Sequence, residues 1–515
     1  MNSSTVIPTS TMDNLSKALI PADTPPERVL QFGTGVLLRG LPDYYINKAN
    51  QQGKFNGSIV VVKSTEGSTD EFARQDNLYT VVVRGIQQGQ PIAENTVVTA
   101  ISRVLAAQTD WKEILRLAQN PDLQIIISNT TEVGIQYVEE SIFQHPPQSF
   151  PAKLTAFLYE VFKNSGGSKK RGMVVIPTEL ITDNGLKLRD IVEKLAKYNE
   201  LGRLFMKWLK YHVRFCNSLV DRIVTGRPDA ERYQQLQQEL GYQDNLLTMT
   251  EPYRLWAIEG DDRVKEMLSF AQADSSIIIE EDITFYRERK LRVLNGSHTL
   301  SVPLGYLMGM ETVYQNNQHP VMARFIQQLM LEEIVPTVPT DTMPEAGPTA
   351  IEQFARDVLD RFRNPHIVHL LPNILTQQTS KMQARNVATI QRYYDKFGTV
   401  PQHMALGFAA YLLYMKAIRV EGNTYYGELS ASGQTTTYPI RDEKADYFYQ
   451  LWHTVDVHDS ASVRQFVHSV CADTVLWGAD LSALPDFADT VARNLSDMVT
   501  LGVEATAAKR LSASV

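Results

Sequence analysis

The stretch Arg28-Val-Leu-Gln-Phe32-Gly33-Thr-Gly35-Val-Leu-Leu-Arg39-Gly40 decides how the N-terminal half of the chain folds. Five residues of mostly apolar character lead into two glycines, and a helical pattern takes over from Val36 to about residue 50. That order reads as strand, tight turn and helix. In such a turn the first glycine permits the bend, and the second lets main-chain N–H groups approach a diphosphate at a helix N-terminus. The third glycine of the usual pattern is displaced, because Leu38 or Arg39 stands in its place. A plain strand-to-helix turn is the competing reading; the motif's place at the head of a β-α-β series favours the phosphate turn.

Further strands follow at Ser58-Ile-Val-Val-Val62, at the β-rich piece Leu78 to Arg84, at Gln124-Ile-Ile-Ile127 and at Met173-Val-Val-Ile176. Short, wholly apolar runs are typical of strands buried on both faces. The spacing of Asp110 and Glu113 predicts a capping-box start for a helix running to Gln119. Strands alternating with helices of ten or more residues predict an α/β fold with a doubly wound parallel sheet. We therefore read residues 24–285 as a Rossmann-type dinucleotide-binding domain. Its expected cofactor contacts are Phe32, Gly33, Thr34 and Gly35 in the turn, and Asn129, Thr130, Thr131 and Glu132 in the polar loop after Gln124–Ile127. An acidic residue for the ribose hydroxyls is expected about twenty residues after the glycines, but the second strand ends at Lys63. Lys63 pairs with a 2′-phosphate, or Glu66 reaches the ribose, or Lys63 is a solvated strand end; the residues alone leave these open.

From about Lys290 helical periodicity dominates, so residues 286–515 are expected to form a mainly α-helical C-terminal domain that binds substrate and carries the chemistry. Its main interruption, 422–439, is rich in Gly, Thr and Tyr and reads as a hairpin or a loop. Hydrophobic residues make up 43% and charged residues 21% of the 515, which fits a globular protein. A net charge of −8 leaves no excess of cations for a nucleic-acid backbone. Two cysteines exclude a disulfide framework and suit a reducing cytoplasm. The longest apolar stretch, 404–415, is far shorter than the roughly 20 residues of a membrane span. A small-molecule partner is expected, with no nucleic acid and no membrane.

The second chemical motif is Lys290-x4-Asn295-x2-His298. On an α-helix at roughly 100° per residue these three side chains fall within about 140° of arc and share a face. Oxidation of a secondary alcohol needs a base for the hydroxyl proton and a donor for the alkoxide-like oxygen. A lysine desolvated by burial serves as that base near neutral pH. Asn295 offers an amide N–H to the developing oxyanion, and His298 orients the hydroxyl. A solvated helix face is the bland alternative for Lys290, and packing or capping for Asn295 and His298.

Together, Gln31-Phe-Gly-Thr-Gly35 to Arg39, Asn129-Thr-Thr-Glu132 and Lys290-x4-Asn295-x2-His298 resemble the mannitol dehydrogenase family of long-chain, polyol-specific dehydrogenases. Segments such as 29–39, 128–134, 177–185 and 287–298 are most similar to members acting on hexonates. The resemblance implies NAD as cofactor, no catalytic metal, Lys290 as general base, Asn295 as oxyanion donor and His298 as substrate ligand. One departure is visible: mannitol-type members carry a second oxyanion Asn where this chain has Leu180, so Asn295 works with a water or with Asn184, or the hole is rebuilt. A hexonate carboxylate calls for a cation, with Arg361 and Lys381 as candidates; Asn364 and His369 lie in the same stretch. The rivals are a polyol-acting member of the family, a regulatory NAD sensor and a zinc-dependent dehydrogenase. For the last, ten histidines and two cysteines show no convincing ligand spacing.

Overall fold

The computed structural model describes residues 12–21, 23–130, 134–341, 347–431 and 434–512. The chain divides into two compact units, one comprising Met1–Arg84 and Pro91–Ile283, the other Gly85–Gln90 and Thr284–Val515.

The first unit is built on six parallel strands: β1 (Glu27–Phe32), β2 (Ser58–Lys63), β3 (Ile101–Ala106), β4 (Ile125–Ser128), β5 (Met173–Pro177) and β6 (Val213–Phe215). Their spatial order is β3-β2-β1-β4-β5-β6, so the winding reverses between β1 and β4. Side chains alternate between sheet faces. Leu30, Phe32, Val60, Val62 and Ile126 accordingly enter one core, and Val29, Ile59, Val61, Ile125 and Ile127 the other. Helices Phe150–Ser165, Asn184–Tyr198 and Arg203–His212 bring Phe157, Leu195 and Trp208 to the first face, while Pro42–Gln51 brings Tyr45, Ile46 and Ala49 to the second. Each Val, Leu, Ile or Phe contributes about 1.5–3 kcal/mol when fully buried, which is why the central run Ile125–Ile127 is apolar on both faces. The doubly wound sheet expected from the sequence is present.

Three local readings change. The helix after the glycine turn is two pieces, Val36–Gly40 and Pro42–Gln51, broken at Leu41 (φ −133°, ψ −77°), because a proline ring disfavours helical backbone at the residue before it. The helix expected to start at Asp110 is preceded by a turn from Ala107, and the stretch Ala107–Arg116 kinks at Asp110, whose φ of −108° and ψ of 17° are non-helical. Strand β3 runs straight into it and leaves no loop for a cap, so the Asp110 carboxylate accepts the Ala106 N–H at 2.8 Å and Glu113 pairs with Arg103. The β-rich piece at Tyr79–Gln87 lies outside the six-stranded sheet, in a four-stranded one with Gln90–Val98, Thr248–Thr250 and Val224–Gly226.

The second unit is mainly helical. Its first helical stretch, 284–307, contains a π turn over Lys290–Gly296 before Ser297–Leu307. The helix Gln402–Tyr414 packs on Ser297–Leu307 at Gly407, where a Cβ would stand 2.6 Å from the Leu300 carbonyl oxygen; only glycine permits that approach. Another π turn, Gln383–Val387, joins Gln378–Met382 to Ala388–Phe397. The region 422–439 resolves into antiparallel strands: Ala417–Glu421, Thr424–Ala431 and Gln434–Ile440 form a three-stranded sheet. Among the described residues no helix is long and apolar enough to cross a membrane.

Candidate active site

In the first unit the polar groups gather at the C-terminal ends of β1, β4 and β5, beside the reversal of the sheet. Gly33 has φ +125°, and a Cβ there would meet the Asn129 carbonyl oxygen and Leu38 Cδ1, each at 2.9 Å. This position therefore requires glycine. Among the described residues nothing lies within 4 Å of a Cβ built on Gly35, and no side chain caps the helix start behind it. Space beside an uncapped helix start is what a bound diphosphate needs. The displaced glycine has a packing role: a Cβ on Gly40 would stand 2.8 Å from Val224 Cγ1. Close helix packing, usually secured by the third glycine of such turns, is secured here at Gly40.

The loop after β4 is tied to the loop after β5. Glu179, 2% exposed, accepts the Thr130 N–H at 2.8 Å and hydroxyl at 3.0 Å on one oxygen, and the Ser128 hydroxyl at 3.2 Å on the other. The Asn129 amide donates to the Thr178 carbonyl and hydroxyl. Phe32 is fully buried against the Phe150 ring, and its carbonyl accepts the Asn129 N–H, so it supports the turn from within the core. Thr34 is half-buried beside the turn, and Lys63 is half-buried at the end of β2. Arg39 donates to the Leu246 carbonyl and packs over Tyr79. Thr131 and Glu132 lie outside the described residues.

Asn184 is unavailable to an oxyanion. Its amide nitrogen donates to the carbonyls of Pro177, Glu179 and Ser218, and its oxygen accepts the N–H groups of Gly185 and Ser218. It locks β5 to the segment before helix Asn184–Tyr198, and Leu180 is 64% exposed. No periodicity signals such a lock, because its partners are main-chain atoms, those of Ser218 lying 34 residues away.

In the second unit Lys290 opens the π turn and Asn295 lies near its end, both half-buried, while His298 begins the buried helix beyond. A π turn carries an extra residue per turn, so the 100° spacing read from the sequence does not hold between Lys290 and Asn295. Pro303 has no N–H for the Thr299 carbonyl four residues earlier; the buried Gln378 amide donates to it at 2.7 Å. His298 packs against Phe362 at 4.3 Å between ring centroids and against His369 at 5.7 Å. Burial first, then the charges of His369, Arg385, Arg361 and Lys381, push the His298 imidazole well below its usual range. It is neutral near pH 7, with one ring nitrogen to donate and one to accept.

The charges of Arg361, His369 and Lys381, candidates from the sequence, thus act on His298, together with that of Arg385, which was not among those candidates. Arg361 is buried in the last turn of helix Gly347–Phe362. Asn364 is buried just beyond it, its side-chain oxygen accepting the His366 N–H at 3.0 Å. The Lys381 ammonium donates to the Ile374 carbonyl at 2.8 Å and the Thr376 hydroxyl at 3.3 Å, and burial lowers it to about 8. The four-residue spacing of Lys381 and Arg385 was the available signal for the missed residue.

Two family models match in sequence: the mannitol dehydrogenase Rossmann domain over residues 27–271 and the mannitol dehydrogenase C-terminal domain over 282–499. The chain is 37% identical over 484 residues to the altronate oxidoreductase of Bacillus subtilis (strain 168), covering 93% of this chain and 94% of that one. It is 35% identical over 504 residues to that of Yersinia enterocolitica, covering 96% and 99%. Among solved structures, Pseudomonas fluorescens mannitol 2-dehydrogenase in complex with NAD and D-mannitol superposes with a TM-score of 0.64 at 22% identity, covering 97% of this chain and 99% of that one. A D-sorbitol dehydrogenase superposes at 0.74 and 19%, covering 96% and 99%. These two likenesses speak for the fold. With both domain models matched and relatives above one-third identity along nearly the whole chain, this protein belongs to the mannitol dehydrogenase family and is an oxidoreductase acting on CH–OH groups.

Proposed function

We propose that this protein is an NAD-dependent altronate oxidoreductase that interconverts D-altronate and D-tagaturonate in hexuronate breakdown in the cytoplasm, without a catalytic metal. The observation that carries the reading is His298, a buried neutral imidazole on the helix that also bears Lys290 and Asn295, set in a field of cations suited to an anionic substrate. The full-length likeness to altronate oxidoreductases supports the same substrate.

NAD, when bound, supplies the hydride acceptor, and the Gly33–Gly35 turn with the loop at Asn129 and Thr130 would hold it. Lys63 at the end of β2 is the remaining candidate contact. The protein's own residues manage the proton and the oxygen. In the oxidising direction Lys290 takes the hydroxyl proton as general base; in the reducing direction its ammonium returns one to the same oxygen. Asn295 donates its amide N–H to that oxygen as negative charge develops. His298, being neutral, accepts from one substrate hydroxyl and donates to another without adding a charge. Arg361, Asn364 and Lys381 line the substrate side.

The deciding assay follows NADH and NADPH oxidation with D-tagaturonate, D-fructuronate and D-fructose, before and after dialysis against chelator. NADH with D-tagaturonate is expected to be fastest, and unchanged by the chelator. A preference for D-fructuronate or D-fructose would reassign the substrate, and activity restored only by added zinc would overturn the metal-independent reading. Lys290→Ala is expected to lower kcat by roughly 100- to 10,000-fold, the range for removing a general base, while NADH binding is kept.

A further inference from the structure

The geometry points to Arg385 as the residue that binds the carboxylate of an acidic sugar substrate and so sets the preference for sugar acids over neutral polyols; this inference rests on the oxidoreductase reading just given.

Arg385 sits in the π turn Gln383–Val387, which lies against the π turn bearing Lys290 and Asn295. The two are cross-bonded by main-chain acceptors. Arg292 donates to the carbonyls of Ala384 and Arg385 at 2.9 and 2.8 Å, and the Asn386 amide donates to the Gly296 carbonyl at 3.1 Å. The Arg385 backbone is thereby held in place relative to Asn295 and His298.

Its guanidinium is only partly used. One terminal nitrogen, Nη1, donates to the Thr299 hydroxyl at 3.1 Å and, at 3.4 Å, to the Asn295 carbonyl. Nε and Nη2 donate to no protein atom, and no carboxylate pairs with the group, among the described residues. A half-buried arginine normally meets a carboxylate, since burial of an unpaired charge is unfavourable. Here burial lowers the guanidinium to about 10 with no counter-charge to oppose it.

Its neighbours sharpen the need for an anion. Lys381, one helical turn earlier, spends its donors on neutral oxygens and is itself disfavoured by the Arg385 charge. The carboxylate that acts on Lys381 is Asp442, whose oxygens accept the Thr379 and Lys444 main-chain N–H groups. Arg385, Lys381, Arg361 and His369 all act on His298 in the same sense. A substrate carboxylate against Nε and Nη2 would form the forked pair that guanidinium geometry favours.

The test compares wild type, Arg385→Met and Arg385→Lys as full-length enzymes with NADH, using D-tagaturonate and the neutral ketose D-fructose, with thermal melting and NADH titration as checks of folding. Arg385→Met is expected to raise KM for D-tagaturonate by roughly 10- to 100-fold, as for loss of a charge-assisted hydrogen-bond pair. KM for D-fructose is expected to stay within about twofold, and Arg385→Lys to recover part of the loss. Guanidinium ion added to Arg385→Met is expected to restore D-tagaturonate turnover in preference to D-fructose turnover. An equal loss on both substrates would assign Arg385 a structural role through Asn295 and overturn the inference. So would an unchanged KM for D-tagaturonate in a folded Arg385→Met enzyme. If Arg385→Met fails to fold, the ratio of the two KM values in Arg385→Lys decides in the same way. Failure of the wild type to reduce D-tagaturonate would instead overturn the proposed function.

Discussion

The Gln378 side-chain amide donates to the Thr299 carbonyl at 2.7 Å, the acceptor that Pro303 leaves open within the helix following His298. A helix interrupted by proline would otherwise bury an unpaired carbonyl one residue from His298. Gln378→Leu is expected to destabilise the protein by about 1–3 kcal/mol, the range for a buried group left without its partner. Pro303→Ala restores an N–H at that position, so the same substitution in the Pro303→Ala background should have a smaller effect. Denaturant unfolding of the four variants in the cycle measures the coupling; additive effects would rule this account out.

Glu179 is buried and unites the loops after β4 and β5 through three hydrogen bonds. Replacing it by Leu removes the acceptor for the Thr130 N–H and frees a loop expected to touch the cofactor. The NADH dissociation constant is expected to rise roughly tenfold, the equivalent of about one charge-assisted hydrogen bond. Fluorescence titration of the cofactor reads this directly, and an unchanged constant would separate that loop from cofactor binding.

His298 has a depressed pKa in the folded state, whereas the unfolded chain protonates it at the ordinary value near 6.5. Below that value the unfolded state holds a proton that the folded state does not, so stability present above about pH 6.5 is lost as pH falls. His298→Gln removes this dependence. The stability difference between wild type and His298→Gln, measured by denaturant unfolding at pH 8 and pH 5, should therefore shift against the wild type at pH 5. A difference that does not change with pH would mean that His298 titrates normally.

Asp43 shows the opposite sign. Burial raises its carboxyl to about 7, against hydrogen bonds from Gln31 and Tyr79 and the charge of Arg39, which favour ionisation. Between about pH 4 and pH 7 the folded state keeps a proton that the unfolded chain has released, so stability falls as pH rises through that window. Asp43→Asn keeps an oxygen for Gln31 and Tyr79 and abolishes the titration. It is expected to gain stability relative to wild type on going from pH 5 to pH 8, in paired unfolding curves. Because Gln31 also donates to the Gly33 carbonyl at 3.3 Å, the same comparison should include NADH binding at both pH values.

The sequence by itself determined the parallel sheet and the place of the glycine turn. Runs such as Ile125-Ile-Ile127 have no polar face to leave in water, so they fold only as strands covered on both sides. It also placed Lys290, Asn295 and His298 on one helical stretch, since their spacing is local. Tertiary structure decided what local spacing cannot express. The π turn over Lys290–Gly296 changes which side chains share a face, and its carbonyls find partners in Arg385 and Asn386 of a segment some 90 residues on. Asn184 is indistinguishable in sequence from a free amide, yet five main-chain partners occupy it. Whether an arginine is a surface ion-pair residue or an unsatisfied cation depends on which carboxylates the fold brings within reach. For Arg385 it brings none among the described residues, because the oxygens nearest to it are neutral.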